Sequence, residues 1–327
     1  MKQAVIAMIA AVGILGSVEA ATAQSPIKLR FAFTTAMDGP GGEAVKKMAE
    51  ALKERAGNQI ELEIFPRAQL GGESDMLAGI RSGSLDMGLF STGLIASALE
   101  PRLQAVSLPF IWNSEDMFWK TLNAPAGRKL LDTLDSKGVK ALSWGYWGPR
   151  GILANGFEIN KPDDLKGRKI RAVQGAIYVK TLEALGANPV PLPPAELYAA
   201  LQMHAVDGVD TARNFMVEMK FNEVTTSLAA IEIMMDSAVF AMNKQTFDNL
   251  KPELQQALVE AARIGGETMF KAYQKAGQIA TATMEKGGLK ITHPDPKAFE
   301  DKMKPVYDYF TPIVGADLIA DLKAAQK

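Results

Sequence analysis

The sequence predicts an α/β protein built from two lobes. Strand-like and helix-like segments alternate over residues 28–90, and the alternation starts again over residues 167–210. Helical periodicity then continues from residue 252 to residue 286, interrupted only by isolated glycines. Alternating strands and helices are typical of a mostly parallel sheet covered by helices. The segment 144–155, which contains glycines and a proline, separates the two series and indicates the boundary between the lobes.

The first series contains three strands, in which aliphatic and aromatic residues predominate; they are predicted over residues 28–34, 59–65 and 85–90. The first helix begins at Gly41 and Gly42, carries apolar residues three and four positions apart, and ends at Gly57, as a C-terminal glycine should end it. The second helix follows Gly72. The second series contains three further strands and two helices, predicted over residues 167–173, 176–185, 188–192, 195–202 and 205–210.

The segment 252–286 predicts one helix of about 35 residues, which would be about 50 Å long. Pro252 suits a first helical position, and Gly287 ends the pattern. The alternative is two shorter helices that meet at Gly265 and Gly266. Small and apolar residues form a single stripe along the helix: Leu254, Leu258, Ala261, Gly265, Met269, Ala272, Ala276, Ile279 and Thr283. A helix of this length suits an element that lies across both lobes.

Composition excludes several classes of function. The 327 residues include 36 Lys and Arg against 37 Asp and Glu, for a net charge of −1, so we expect no nucleic-acid partner. The chain has no cysteine, which excludes disulfides, thiol catalysis and cysteine-based metal centres. Its two histidines, His204 and His293, leave little imidazole chemistry. We therefore predict a protein with no resident cofactor and no metal site.

Residues 1–23 predict a cleavable secretory signal peptide. Lys2 supplies the positive start, an apolar run of about a dozen residues follows, and Ala21 and Ala23 form a small-residue cleavage motif. We expect cleavage after Ala23, with Ala20 as the alternative. The apolar run is shorter than the roughly 20 residues that span a bilayer, which disfavours a membrane anchor. The expected location of the mature protein is the periplasm.

No motif predicts catalysis. The segment from Gly39 to Ala44 matches G-x-G-x-x-A between a strand and a helix, which is formally a dinucleotide fingerprint. Pro40 would remove a backbone donor from that loop, so a glycine-rich turn or a helix N-terminus that faces a ligand explains the motif as well. The G-x-S-x-G motif of serine hydrolases is absent from the sequence. We assign no catalytic residue and predict that the protein is not an enzyme.

Three arginines occupy unusual positions. Arg171 lies near the carboxyl end of a predicted strand, where open α/β sheets bind their ligands, and the planar fork of arginine matches a carboxylate in a bidentate way. Arg150 follows aromatic and turn residues in Trp144-Gly-Tyr-Trp-Gly-Pro-Arg150, and Arg213 follows another strand end. The alternative for each is a surface arginine or a salt bridge to Asp or Glu.

Nearly all of the predicted mature chain resembles one family, the periplasmic substrate-binding proteins of tripartite ATP-independent periplasmic (TRAP) transporters. The resemblance depends on an ordered set of motifs at spacings similar to those of the family: Leu29-Arg-Phe-Ala-Phe-Thr34, Phe65-Pro-Arg-Ala-Gln-Leu-Gly-Gly-Glu73, Gly83-Ser-Leu-Asp-Met87, Leu108-Pro-Phe110, Asp164-Leu-Lys-Gly-Arg-Lys-Ile-Arg171, Leu185-Gly-Ala-Asn-Pro189, Glu196-Leu-Tyr-Ala-Ala-Leu-Gln202 and Ala205-Val-Asp-Gly208. No single motif is decisive, but the ordered set is highly specific.

The resemblance implies a two-lobed periplasmic binding protein fold, with a ligand cleft between the lobes, strands that cross between them and a long helix that spans both. We expect residues 24–147 and 237–276 to form the first lobe and residues 148–236 and 277–327 to form the second. The resemblance also implies closure on the ligand and delivery to the small and large membrane subunits of a permease. We expect a monomer.

The resemblance also implies site residues. The arginine at the position of Arg171 forms a salt bridge with the substrate carboxylate in the family, and Arg150 and Gln174 fall at positions that commonly lie near the ligand. Thr34, Ser91 and Thr92 fall at strand ends of the first lobe that line the cleft. Ser91 replaces an acid of the sialic acid binders, which disfavours sialic acid as the ligand.

The sequence departs from the family where the substrate is selected. Asp210 and Thr211 stand where many members have Glu-Asn, and both are candidate ligand contacts. Arg213 is an additional basic candidate, which would suit a second carboxylate if it faces the cleft. Trp147, with its aromatic neighbours, would suit an apolar or aromatic monocarboxylate. The predicted function is capture of an organic acid anion for a TRAP permease; the alternative is a periplasmic sensor that presents a bound carboxylate to a membrane receptor. The ligand could be a dicarboxylate, a monocarboxylate, a 2-oxo acid or a sugar acid.

Overall fold

The computed structural model describes residues 25–326, so the predicted signal peptide lies outside the described residues. Over this range the chain forms ten strands: β1 (Ile27–Ala32), β2 (Ile60–Phe65), β3 (Met87–Ser91), β4 (Val139–Ala154), β5 (Lys169–Ala172), β6 (Asn188–Pro191), β7 (Gly208–Ala212), β8 (Ser227–Ala229), β9 (Met235–Asn243) and β10 (Lys290–Thr292).

The same residues form thirteen α-helices: α1 (Pro40–Ala56), α2 (Glu73–Ser82), α3 (Thr92–Ala98), α4 (Glu115–Asn123), α5 (Pro125–Asp132), α6 (Ala176–Ala184), α7 (Pro194–Gln202), α8 (Arg213–Glu218), α9 (Lys244–Asp248), α10 (Pro252–Lys286), α11 (Pro296–Glu300), α12 (Lys304–Val314) and α13 (Ala316–Ala324). Short 3-10 helices cover Pro101–Ser107, Thr133–Lys137, Pro162–Leu165 and Phe221–Glu223. Among these helices, none has both the length and the apolar character needed to cross a membrane.

The strands form one continuous mixed sheet with the order β2-β1-β3-β9-β4-β7-β5-β6, and β8 and β10 attach beside β4. Strands β1, β2 and β3 are parallel, as are β5, β6 and β7. These parallel parts confirm the two predicted βα series. We call the part around β1, β2 and β3 the first lobe and the part around β5, β6 and β7 the second lobe. The centre, where β9 and β4 join them, is antiparallel, so the sheet is less uniformly parallel than the sequence predicts.

The predicted boundary segment 144–155 lies almost entirely within β4, a strand of 16 residues. The first part of β4 pairs with β9, and its last residues pair with β7 and β8, so one strand belongs to both lobes. Two register shifts interrupt its pairing with β9, the second between Tyr146 and Gly148. Gly148 has a φ of +109° there, which favours glycine. The glycines therefore bend a crossing strand rather than end it.

Helix α10 is a single helix of 35 residues, as predicted, without a break at Gly265 and Gly266. The predicted stripe is correct as far as Met269, after which the buried residues are Phe270, Tyr273, Gly277, Ala280 and Met284. Ile279, from the predicted stripe, is 55% exposed. The buried face shifts because the helix passes from one hydrophobic core to another: Leu254 to Tyr273 pack in the first core, and Ala280 and Met284 in the second.

The first core is the larger and fills the space between the first lobe, β4, β9 and most of α10. The second core is bounded by α7, α8, β7 and the end of α10. Helices α11 to α13 add to the first core. After them, the Gln326 side chain accepts a hydrogen bond from the Asn113 backbone N–H at 2.8 Å and donates one to the Ile111 carbonyl oxygen at 2.8 Å. The C-terminal residues thus contact the first half of the chain, and the predicted lobe boundaries stay a prediction.

Candidate ligand-binding site

Arg171 is a buried cation with unused hydrogen-bond donors. Arg171 lies in the short parallel strand β5, and only 2% of its surface is exposed. Its Nε donates to the Leu192 carbonyl oxygen at 2.9 Å. Within residues 25–326, no Asp or Glu forms a salt bridge with its guanidinium, and no hydrogen bond is formed by its two Nη atoms. Four of the five N–H groups of its fork therefore remain available to an anion.

Burial, followed by the neighbouring charge of Arg150, lowers the pKa of Arg171 to about 10, although Asp210, Tyr178 and Asp236 act in the opposite direction. The group stays protonated at neutral pH. An unpaired buried charge is costly, so a carboxylate that enters here would replace missing solvation as well as form a bidentate pair. This is the property expected of an anion-binding residue.

Arg150 has the opposite environment. It is equally buried, but its guanidinium is bound by two aspartates. Nε and Nη2 donate to the Asp210 carboxylate at 3.1 Å and 3.0 Å, and Nη2 also donates to the Asp210 carbonyl oxygen. Nη1 donates to Asp236 Oδ2 at 2.5 Å. Burial by itself would lower its pKa, but the two aspartates outweigh burial and hold the pKa above its ordinary value. Four of its five N–H groups are used by the protein, so Arg150 can offer a ligand at most one.

Asp236 joins three parts of the structure. It lies at the start of β9, binds Arg150 through Oδ2, and accepts a hydrogen bond from the Tyr178 hydroxyl through Oδ1 at 3.1 Å. The Tyr178 ring also lies under the Arg150 guanidinium, 4.6 Å from ring centroid to Cζ. Tyr178 belongs to α6 in the second lobe, and its hydroxyl lies so close to Gly93 of α3 that an added Cβ would approach it to 2.6 Å. The two lobes therefore meet at Tyr178.

The first-lobe side of the site contains a carboxylate. Glu73, the first residue of α2, accepts hydrogen bonds on Oε2 from the Ser91 backbone N–H at 3.0 Å and from the Ser91 hydroxyl at 2.6 Å. Burial raises the pKa of Glu73 above its ordinary value; the bonds from Ser91 oppose this rise, and the negative charge of Asp236 adds to it. The buried Thr92 accepts a hydrogen bond from the Ser237 hydroxyl at 2.8 Å. Ser91 is the last residue of β3 and Thr92 is the first residue of α3, so both lie where this strand ends.

Arg213 does not join this group. Its Nη2 donates to Glu232 Oε1 at 2.6 Å, and its other charged neighbour is Glu115. The groups that act on the pKa of Arg171 are Arg150, Asp210, Tyr178 and Asp236, none of which pairs with Arg213. A role for Arg213 as a second anchor therefore has no geometric support beside Arg171, although its use as a ligand contact stays a prediction.

The remaining predicted residues have mixed positions. Thr34 is half-buried just after β1, and Gln174 is exposed just after β5, so both follow strand ends. Thr211 is buried in β7 and, because side chains alternate along a strand, points away from the face that carries Asp210. Trp147 packs edge-on against Tyr273 of α10, at 5.3 Å between ring centroids. Their contacts with a ligand stay predictions.

Three members of the site were not proposed from the sequence: Glu73, Tyr178 and Asp236. Glu73 ends one of the quoted motifs, but nothing in that motif connects it to Ser91. Asp236 has a visible signal, since it is the one charged residue in the otherwise apolar or neutral strand β9. A charged residue inside such a strand indicates a buried partner. Tyr178 gave no signal, because an aromatic residue on a helix is most often part of a core.

Comparison with known proteins identifies the class. The model of the bacterial extracellular solute-binding protein family 7, DctP, matches residues 31–312, so the chain belongs to this family of TRAP transporter solute-binding proteins. The resemblance stated from sequence is confirmed. Among the matching relatives, YiaO, SiaP and DctP are named as periplasmic binding proteins.

Particular relatives span almost the whole chain. The 2,3-diketo-L-gulonate-binding periplasmic protein YiaO of Escherichia coli is 32% identical over 302 residues, covering 91% of this chain and 92% of its own. The sugar acid binding protein DctPAm of Advenella mimigardefordensis, solved with galactonate, has a TM-score of 0.86 at 27% identity and covers 92% and 98% of the two chains. A TRAP solute-binding protein of Chromohalobacter salexigens, solved with D-glucuronate, has a TM-score of 0.86 at 26% identity and covers 91% and 99%. The predicted two-lobed fold is confirmed.

Proposed function

We propose that this protein captures an organic acid anion between its lobes and delivers it to the small and large membrane subunits of a TRAP permease. The observation that carries the proposal is Arg171, a nearly inaccessible guanidinium with free Nη donors and no acidic partner among residues 25–326. A ligand carboxylate supplies that partner. Arg150, which is of the same chemical type and equally buried, already has two.

Within the organic acids, we propose a sugar acid. Asp236 acts on the pKa of Arg171, and Glu73 lies close enough to Asp236 to be affected by its charge; both carboxylates are hydrogen-bond acceptors, and the hydroxyl groups of a sugar acid are donors that suit them. Relatives that cover nearly the whole chain carry galactonate or D-glucuronate, or are named for 2,3-diketo-L-gulonate. The aromatic alternative loses support, since Trp144 and Tyr146 are fully buried in the core.

Binding and closure are coupled in this proposal. The ligand carboxylate docks on the second lobe at Arg171, while hydroxyl groups bind the first-lobe side at Glu73. A ligand that contacts both lobes binds the closed arrangement better than the open one and so shifts the population toward it. Tyr178, which packs against Gly93 and binds Asp236, joins the same two sides when the lobes are closed.

Thermal unfolding of the mature protein against a panel of organic acids tests the proposal. The panel should contain aldonates, uronates, 2-oxo acids, aromatic acids and C4-dicarboxylates. A ligand at 100 times its Kd stabilises the folded state by about 2.7 kcal/mol, which is an easily measured rise in Tm. We expect the largest rise with an aldonate or a uronate. A rise confined to aromatic acids or dicarboxylates would contradict the sugar-acid assignment.

Three further parts of the proposal have their own tests. Mass spectrometry of the secreted protein should find an N-terminus at Gln24, the residue after the expected cleavage site at Ala23. Light scattering should give the mass of a monomer. A ligand recovered after prolonged incubation should be chemically unchanged, because the protein is proposed to bind rather than to convert it.

A further inference from the structure

Two buried arginines side by side would ordinarily suggest a ligand with two carboxylates. Arg150 of β4 and Arg171 of β5 lie on the two strands that flank β7, and the charge of Arg150 acts on the pKa of Arg171, so both belong to one site. The two arginines differ in how many of their N–H groups already bind acidic residues of the protein. Arg150 is bound on its Nε and Nη2 edge by Asp210 and on Nη1 by Asp236, and its face is covered by the Tyr178 ring. A second ligand carboxylate could form a bidentate pair with Arg150 only by displacing Asp210 or Asp236.

The two aspartates are not equivalent. The Asp210 side chain is 3% exposed and is held by three contacts with Arg150, whereas the Asp236 side chain is 12% exposed. Asp236 is therefore the more solvent-accessible of the two carboxylates. It binds one N–H of Arg150 and is itself held by Tyr178.

We propose that Asp236 occupies, with its own carboxylate, the position that the second carboxylate of a dicarboxylate ligand would take, and that it thereby makes the protein selective for monocarboxylates. This inference depends on the proposed function, because it concerns the same anion site. The charges of Arg150 and Arg171 are already matched by those of Asp210 and Asp236. One ligand carboxylate on Arg171 therefore already gives the group a net negative charge. A second carboxylate would add to that charge and would face the carboxylates of Asp236 and Glu73.

The groups around Asp236 suit a ligand hydroxyl at the position where they would repel a second ligand carboxylate. Both bonds from Ser91 go to Oε2 of Glu73, and no bond is formed by Oε1 among the described residues. Glu73 and Asp236 can accept from hydroxyl donors but can only repel a carboxylate. Like charges placed opposite each other are a recognised means of rejecting the wrong partner.

D-galactonate and galactarate form a matched pair of ligands for the test. They differ only at C6, which is a hydroxymethyl group in galactonate and a carboxylate in galactarate; D-gluconate and D-glucarate form a second pair of the same kind. Calorimetry with wild type should show a preference for the monocarboxylate of at least about 30-fold, as expected of an uncompensated like charge. Asp236→Asn, which keeps the shape and an acceptor for Arg150, should reduce that preference at least about tenfold, chiefly through tighter binding of the dicarboxylate.

Glu232→Gln is the matched control, because it removes the carboxylate partner of Arg213 away from the Arg171 group; the preference should stay unchanged. Equal wild-type affinity for the two members of a pair overturns the inference, and this result does not depend on whether Asp236→Asn folds. Tight monocarboxylate binding with an unchanged preference in folded Asp236→Asn overturns the inference alone. Failure of wild type to bind any monocarboxylate overturns both the inference and the proposed function.

Discussion

Substitution of the two buried arginines should separate ligand binding from stability. Arg171→Met removes a charge that has no acidic partner, and the pKa of about 10 corresponds to roughly 3 kcal/mol by which the surroundings disfavour that charge. The variant also loses the bond to the Leu192 carbonyl oxygen, worth about 1–3 kcal/mol. These terms oppose each other, so the free energy of unfolding of the ligand-free protein should change by less than about 2 kcal/mol.

The same substitution should abolish useful binding. Loss of one partner of a buried, hydrogen-bonded charge pair costs about 2–5 kcal/mol, which is roughly 30- to 4,000-fold in Kd. Arg171→Lys should also bind poorly, because a single ammonium cannot copy the bidentate fork. The measurement is calorimetric titration with D-galactonate or D-glucuronate, together with chemical unfolding of each variant without ligand.

Two other arginine variants serve as controls. Arg150→Met leaves Asp210 and Asp236 as buried carboxylates without a cation and should destabilise the free protein by about 3–5 kcal/mol. Arg213→Met removes an ion pair outside the site and should change the Kd by less than about threefold. Near-wild-type affinity in Arg171→Met, or an equal loss of affinity in Arg213→Met, would refute the reasoning.

Three further predictions concern the long helix, closure and pH. In α10, Gly277→Ala should stabilise the protein by about 0.5–1 kcal/mol, because the added Cβ meets no atom within 4 Å. Gly266→Ala should destabilise it by about 1–3 kcal/mol, because the added Cβ would overlap the Trp144 carbonyl oxygen. Denaturant unfolding measures both changes, and equal effects would contradict the packing. Gly93→Ala should weaken ligand affinity with little change in the free energy of unfolding, because the added Cβ would approach the Tyr178 hydroxyl to 2.6 Å and keep the lobes apart. Unchanged affinity in a titration would count against closure at this contact. The ligand binds protonated Arg171, so affinity should stay level through neutral pH and fall as the pH rises through about 10, and a fall centred near neutrality would show that another group controls binding.

The fold was predictable where the signal was local. The order of the βα segments and the uninterrupted helix from Pro252 follow from periodicity within one element, and both are confirmed, although strands such as β5 and β7 begin two or three residues later than predicted. Strand β4 was not predicted as a strand, because its glycines indicate a turn when the partner strands are unknown. Its pairing with β9, whose residues come about 90 to 100 positions later in the chain, and the bulge that accommodates Gly148 exist only in the folded sheet.

The site was predictable in the same partial way. Arg171 follows from its position at a strand end, which a single element reveals. Its distinction from Arg150 does not, because it depends on Asp210 and Asp236, which lie 60 and 86 residues after Arg150 in sequence. The sequence therefore predicts which arginines could bind an anion, and the structure shows which one still has donors free.

The most direct test of the account is a crystal structure of the mature protein with the sugar acid that gives the largest calorimetric response. The account predicts the ligand carboxylate within about 3 Å of both Nη atoms of Arg171, with Arg150 still bound to Asp210 and Asp236. A carboxylate bound instead to Arg213, or to an Arg150 released from Asp236, would contradict it.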